Sequence, residues 1–283
     1  MIISASRRTD IPAFYSRWFI NRLERGYLKT RNPFNYNMVS TVPLNKNEVD
    51  CIVFWTKNPS PIIPYLRQLH DYPYYFLFTL NPYGQDIEKK LPPKDFLIKV
   101  FKKLSITAGK ERVLWRYDPV VFTGKYSFEF HIENFKKYLK EIGDYTSTCI
   151  ISFFDNYNKL KKRTQSFIFP DQTLKRKLIE EFSKMSSKYD LILKTCSETD
   201  DYSEYGVGKS ACIDKNLIEK ISGKMISVKK DKFQRKECLC SSSTDIGQYN
   251  SCGYECSYCY AIRSFSFSLS NLKKHDPNSD FLI

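Results

Sequence analysis

Three cysteines stand close together late in the chain, Cys252, Cys256 and Cys259, in the spacing Cys-x3-Cys-x2-Cys. The thiolate is the metal-binding form of cysteine, and three thiolates on one short loop match three corners of an iron-sulfur cube. The fourth iron is then left without a protein ligand and open to a small molecule. A structural zinc asks instead for four closed ligands, usually as two Cys-x2-Cys knuckles. That reading stands beside the first, because Cys238 and Cys240 lie upstream of Cys252 with only eleven residues between. With Cys196 and Cys212, the same pair also makes up a second set of four, suited to an auxiliary iron-sulfur cluster or a four-thiolate zinc. Cys51 and Cys149 fall inside apolar runs and read as small buried hydrophobes. Nine cysteines, an odd number, in a chain read as cytoplasmic point to metal or redox chemistry and away from a disulfide framework.

Elements must hold these residues in place. Six runs rich in β-branched and aromatic residues recur, Ile2 to Ala5, Cys51 to Trp55, Tyr74 to Leu80, Arg112 to Trp115, Cys149 to Phe153 and Asp190 to Lys194. They are apolar on both faces, as parallel strands covered on both sides should be. Helical periodicity fills the gaps at Ala13 to Arg25, Ile62 to Leu69, Asp95 to Leu104, Phe128 to Ile142 and Leu174 to Met185. The alternation belongs to an α/β fold, either an open doubly wound sheet or a barrel. Polar residues follow all six strands: Ser6 to Asp10, Thr56 to Pro59, Asn81 to Tyr83, Arg116 to Pro119, Phe154 to Tyr157 through Asn156, and Cys196 to Glu198. A barrel gathers every strand end on one face, whereas an open sheet uses only those at its switch point. The expected fold is therefore a partial (β/α)6 TIM-like barrel over 1–200, with a cysteine-rich C-terminal extension over 201–283 covering the barrel mouth. A short helix is expected at Lys215 to Ser222, and a loose tail at Asn271 to Ile283.

Composition narrows the partners. With 283 residues, 42% hydrophobic and 16% aromatic, the chain is not limited by core size, which excludes a disordered tail protein or a stapled mini-domain. A net charge of +14 favours anionic ligands, but the lysines are spread along helical faces, so nucleic acid is not the expected partner. No stretch is apolar for the 18 or more residues a membrane helix needs, and no secretory pattern opens the chain, so a cytoplasmic protein without membrane contact is expected. Gly206 to Ser210 looks like the end of a phosphate-binding loop, but the required first glycine is Ser203, so the stretch reads as a plain loop. His70, His131 and His275 are too scattered to form a ligand cluster.

The string Cys-x3-Cys-x-Tyr-Cys, with Tyr258 before the last cysteine, resembles the defining motif of the radical S-adenosylmethionine superfamily. The resemblance implies a 4Fe-4S cluster held by Cys252, Cys256 and Cys259, with S-adenosylmethionine on the open iron. It also implies a 5'-deoxyadenosyl radical that abstracts hydrogen from a substrate, and an electron donor such as flavodoxin or ferredoxin. Superfamily members carry the triplet near the N-terminus, and here it follows the last strand. More narrowly, Ser4 to Tyr15, Phe54 to Pro59, Trp115 to Pro119, Ala211 to Asp214 and Cys238 to Ala261 resemble a bacterial family known as a domain of unknown function, whose C-terminal cysteines are similar to the radical cluster motif. By likeness to the queuine lyases, the expected substrate is a modified 7-deazaguanine base, queuine cleaved to 7-aminomethyl-7-deazaguanine in queuosine salvage.

That chemistry assigns roles to the strand ends. Arg7, Arg8, Lys57 and Arg116 suit a methionyl carboxylate or a phosphate. Asp10, Asp118, Asp155 and Glu198 suit ribose hydroxyls or the amidine edge of a guanine-like base. Trp55, Tyr117 and Phe154 suit a purine face, and Tyr258 the cofactor. The plain alternative is mutual salt bridging, Arg8 with Asp10 or Arg116 with Asp118. The alternative to the whole reading is a zinc-stabilised nucleic-acid-binding protein.

Overall fold

The computed structural model describes residues 1–155 and 157–283, and Asn156 lies outside the described residues. The chain runs β1 (Ile2–Ala5), α1 (Ile11–Phe14), α2 (Ser16–Arg25), β2 (Tyr27–Arg31), β3 (Val39–Pro43), β4 (Cys51–Thr56), β5 (Tyr74–Thr79), α3 (Lys94–Ala108) and β6 (Val113–Val120). It continues through α4 (Phe128–Ile142), β7 (Thr148–Phe153), α5 (Gln172–Ser186), β8 (Ile192–Cys196), β9 (Gly208–Ser210), α6 (Lys215–Ser222), β10 (Thr244–Asp245) and α7 (Phe265–Lys274). The architecture is α/β, with an eight-stranded sheet in the order β10-β1-β4-β5-β6-β7-β8-β9 whose registered pairs are all parallel. From β1 to β9 the large sheet follows chain order with no reversal, apart from the separate antiparallel pair β2-β3.

Period-two alternation divides the sheet residues between two cores. Ile52 and Phe54 of β4, with Phe76 and Phe78 of β5 and Trp115 and Tyr117 of β6, join the larger cluster with the helices. Cys51 and Val53, with Tyr75, Leu77, Leu114 and Ile150, join a smaller cluster on the opposite face. Ile218 of α6 and all four of Cys196, Cys212, Cys238 and Cys240 belong to that second cluster. On the helix side Phe135 stacks between Trp115, at 4.9 Å, and Phe182, at 3.9 Å, tying β6, α4 and α5 together.

The six expected strands are present, and α6 has its expected bounds. Several expectations change. The β2-β3 hairpin was not foreseen, and Ile63–Leu69 is a 3-10 helix where an α-helix was expected. Ala13 to Arg25 is interrupted at Tyr15, between α1 and α2. β6 continues to Val120, so Arg116, Tyr117 and Asp118 are strand residues where loop residues were expected. Gly208–Ser210, read as a loop, pairs with β8.

The tail is also docked, contrary to expectation. Trp18 Nε1 donates to the Ser279 carbonyl at 2.9 Å, Arg22 pairs with Asp280 at 2.6 Å, and Leu282 is buried. A buried Trp N–H and a buried guanidinium each need a partner, and the terminal segment supplies both. No helix among the described residues is long and apolar enough to cross a membrane.

Side-chain caps start α4, at Ser127, and α5, at Asp171. Asp171 caps α5 by accepting from the Leu174 N–H at 2.8 Å. Because that cap is exposed, Asp171→Ala is expected to cost about 1 kcal/mol in urea denaturation. An effect under a few tenths would show that the cap contributes nothing.

Candidate metal and cofactor site

The triplet loop lies beyond the C-terminal end of β5, with Lys57 after β4 and the Arg7 carbonyl after β1 beside Tyr258 and Tyr260. The Asn81 Nδ2, just past β5, stands 3.3 Å from the Tyr258 hydroxyl. The Ser257 N–H donates to the Ile87 carbonyl at 2.9 Å, and Glu88 forms an isolated antiparallel bridge with Cys256. The Arg163 guanidinium holds the far end through the carbonyls of Cys259, at 3.1 Å, and Ile262, at 2.8 Å. Within the loop Glu255 takes a left-handed conformation, φ 54°, and its carboxylate pairs with Lys90 at 2.5 Å. At Gly253 a Cβ would stand 3.0 Å from both Leu272 and Phe14, so the loop approaches α1 and α7 closely there.

All three thiols are free; Cys256 is buried, and Cys252 and Cys259 are half-buried. Burial pushes each thiol above the ordinary range, and the charges of neighbouring groups act on them unevenly. Cys252 feels Asp10, Cys259 and Cys256, all of which oppose its ionisation. Lys57 favours the thiolate at both Cys256 and Cys259, and the N–H groups of Ala261 and Ile262 favour it at Cys259. These are the supports that anionic cluster ligands require.

Sequence reasoning missed the centre of this arrangement, Glu88. It follows β5 in a Glu-Lys-Lys run that looks solvated, yet its side chain is only 1% exposed. Its carboxylate accepts from Lys57 at 2.8 Å, from Lys94 and from the Tyr258 hydroxyl. Although burial acts against ionisation, Lys57 and Lys94 together hold its carboxyl down at about 2. Tyr258 is thus tied to Glu88 and Asn81, and the Lys57 ammonium lies 5.2 Å from its ring centre.

Asp10 does not pair with Arg8. It caps α1 at the Ala13 N–H, 3.0 Å away, and accepts from the Lys57 N–H at 2.7 Å. Burial, incompletely offset by those bonds and by Thr56, raises it to about 7. Arg8 turns instead to Asp245, at 4.0 Å, and over the Tyr249 ring. Asp245 was also missed, and it organises the Ser4–Arg8 segment. It accepts from Ser4 Oγ at 2.9 Å, Ser6 Oγ at 2.7 Å and the Arg7 N–H at 2.9 Å. Gly247 lies against the same knot, where an added Cβ would meet Ser6 Oγ at 2.0 Å. Gly247→Ala is therefore expected to destabilise by about 1–3 kcal/mol in urea denaturation, and an unchanged midpoint would mean the segment yields freely.

On the smaller-core side of the sheet, Arg116 pairs with Asp118, as the plain alternative anticipated, and Ser152 also donates to Asp118. The Arg7 guanidinium stacks over Trp55, 5.0 Å from its ring centre, and reaches Asp231 at 3.9 Å. Arg7 Nη2 and Arg116 Nε are nevertheless buried with no hydrogen-bond partner.

The remaining predicted residues divide. Tyr117 is not in the site: it is fully buried on the helix side, and its hydroxyl lies 2.8 Å from His131 Nδ1. Phe154 packs on Phe167 at 5.0 Å, Asp155 pairs with Arg235, and Glu198 accepts from the Phe153 N–H at 2.9 Å. Burial raises the Glu198 carboxyl despite that bond and the nearby Lys175.

Cys196, Cys212, Cys238 and Cys240 come together from separate parts of the chain. Cys196 and Cys212 stand with sulfurs 3.4 Å apart, and Cys238 and Cys240 are buried in the same smaller core. Hydrogen bonds from Cys212 and Cys238, followed by the Ile213 N–H and the Arg7 charge, hold Cys240 well below the ordinary thiol range despite its burial. Among the described residues, no three His, Cys, Asp or Glu side chains stand in positions that could hold a metal ion without some movement of the side chains. The triplet still fits an iron-sulfur cluster by its donor set and by its amide and lysine support.

No curated protein and no solved structure matches the chain. A family model described as a domain of unknown function, DUF1848, matches residues 2–261, and the chain belongs to that family.

Proposed function

We propose that the protein is a radical S-adenosylmethionine enzyme, with Cys252, Cys256 and Cys259 as the ligands of its catalytic 4Fe-4S cluster and an incomplete β/α barrel as its scaffold. The observation that carries this reading is the seating of the Cys-x3-Cys-x2-Cys loop beyond the C-terminal end of β5, through Asn81, Glu88 and the bonds of Ser257, with Lys57 after β4 joined to Glu88 and the Arg7 carbonyl after β1 accepting from Tyr260. Strand C-terminal ends are where barrel enzymes collect their chemistry. The unreversed strand order β1-β4-β5-β6-β7-β8 supports the barrel.

When bound, the cluster supplies the electron that cleaves S-adenosylmethionine and so the radical that removes hydrogen from a substrate. The chain's own residues orient and protect. Lys57 sets a positive charge beside Cys256 and Cys259, and Glu88 fixes that lysine. Arg7 and Arg116, each with a spare buried N–H, are the groups for a carboxylate on the cofactor or substrate. Trp55 offers an aromatic face for a planar base. The favoured substrate is a nucleobase-like small molecule, a 7-deazaguanine such as queuine, and the favoured electron source is a flavodoxin or ferredoxin.

The test is an anaerobic incubation of the reconstituted chain with S-adenosylmethionine and a strong reductant. Formation of 5'-deoxyadenosine and methionine in equal amounts is expected. Their absence from a fully loaded protein rejects the reading.

A further inference from the structure

We infer that Cys196, Cys212, Cys238 and Cys240 form a second metal site, separate from the triplet, which binds a single thiophilic ion such as zinc in a four-sulfur tetrahedron. The four thiols come from different places: the end of β8, the link between β9 and α6, and both cysteines of the Cys238–Cys240 loop. All four are buried in the smaller core, on the face of the sheet away from the main helical core. Chance burial of cysteine as a small hydrophobe explains one or two positions, as at Cys51 and Cys149. It does not explain four thiols gathered in one small core, two of them with sulfurs 3.4 Å apart.

The spacing favours one ion over a cubane. Bonds of about 2.3 Å around zinc put tetrahedral sulfurs about 3.8 Å apart, and Cys196 and Cys212 stand at 3.4 Å. A cubane places iron and sulfide between its thiolates and needs them farther apart. The surroundings suit an anionic tetrathiolate. Arg7 lies beside Cys240 and Cys212, Arg116 beside Cys212 and Cys196, and the Ile213 N–H donates to Cys240 Sγ at 3.4 Å. Binding releases the thiol protons to solvent and draws the four sulfurs onto one point. The ion then pins the Cys238–Cys240 segment to the sheet. Arg7 links the two sites, since its carbonyl accepts from Tyr260, next to Cys259, at 3.2 Å.

This inference does not depend on the radical reading, and its readout is metal, not turnover. The experiment uses the full chain carrying Cys252→Ala, Cys256→Ala and Cys259→Ala, purified without oxygen and supplied with zinc, then separately with iron and sulfide. One zinc per chain is expected, with X-ray absorption showing only sulfur ligands at about 2.3 Å. Should the triple variant fail to fold, Cys212→Ser in the otherwise intact chain carries the test: zinc is lost and iron bound at the triplet is retained. The inference is overturned if a folded chain takes up no zinc, if the zinc has nitrogen or oxygen ligands, if iron and sulfide occupy these four thiols, if Cys196 and Cys212 form a disulfide instead, or if Cys212→Ser leaves the zinc content unchanged.

Discussion

Glu88→Gln is expected to destabilise the protein by about 3–5 kcal/mol at pH 7, the cost of leaving a buried charge without its partner. The carboxylate is buried between Lys57 and Lys94 and also takes the Tyr258 hydroxyl, so the neutral amide leaves a buried ammonium uncompensated. The pH dependence has a definite sign. The carboxyl sits at about 2 in the folded chain against an ordinary 4.5, so its contribution is complete above 4.5 and is lost as pH falls towards 2. The wild-type advantage over the variant should therefore shrink between pH 5 and pH 2, and urea denaturation at several pH values measures it. A cost below about 1 kcal/mol at pH 7, the size of a surface pair, would show that Glu88 is not the anchor of the triplet loop.

Cys256→Ala, Cys252→Ala and Cys259→Ala are each expected to reduce 5'-deoxyadenosine formation to background. A cubane held by only three protein thiolates has none to spare. Cys256 is the most deeply set of the three and the one Lys57 and Lys94 both support. Cys51→Ala is the control, because Cys51 is a buried thiol at the opposite end of β4 from Lys57. It should keep product formation while losing some stability. Normal turnover in any triplet variant contradicts the assignment.

The fold was largely legible because buried parallel strands announce themselves as apolar runs. The positions of the site residues were legible only where period two was respected. Trp55 shares the phase of Val53 and faces the smaller core, whereas Tyr117 shares the phase of Trp115 and faces the helices. Treating Arg116 to Asp118 as a loop hid that phase, since β6 runs on to Val120. The gathering of Cys196, Cys212, Cys238 and Cys240 was legible in outline, because thiols in such numbers need a purpose. Glu88 and Asp245 were not legible. A carboxylate among lysines looks like surface, and only tertiary packing brings Lys57 and Tyr258 onto Glu88, or Ser4 and Ser6 onto Asp245. The docked tail was missed for the same reason, since its partners Trp18 and Arg22 lie at the other end of the chain.

The most direct test of the central claim is anaerobic reconstitution of the full chain, with iron, sulfide and zinc quantified and the electron paramagnetic resonance spectrum of the reduced protein recorded before and after adding S-adenosylmethionine. The radical reading predicts about four irons and four sulfides per chain for one cubane, with a spectrum that shifts when S-adenosylmethionine is added. Zinc without iron, or a cluster whose spectrum ignores S-adenosylmethionine, would contradict it.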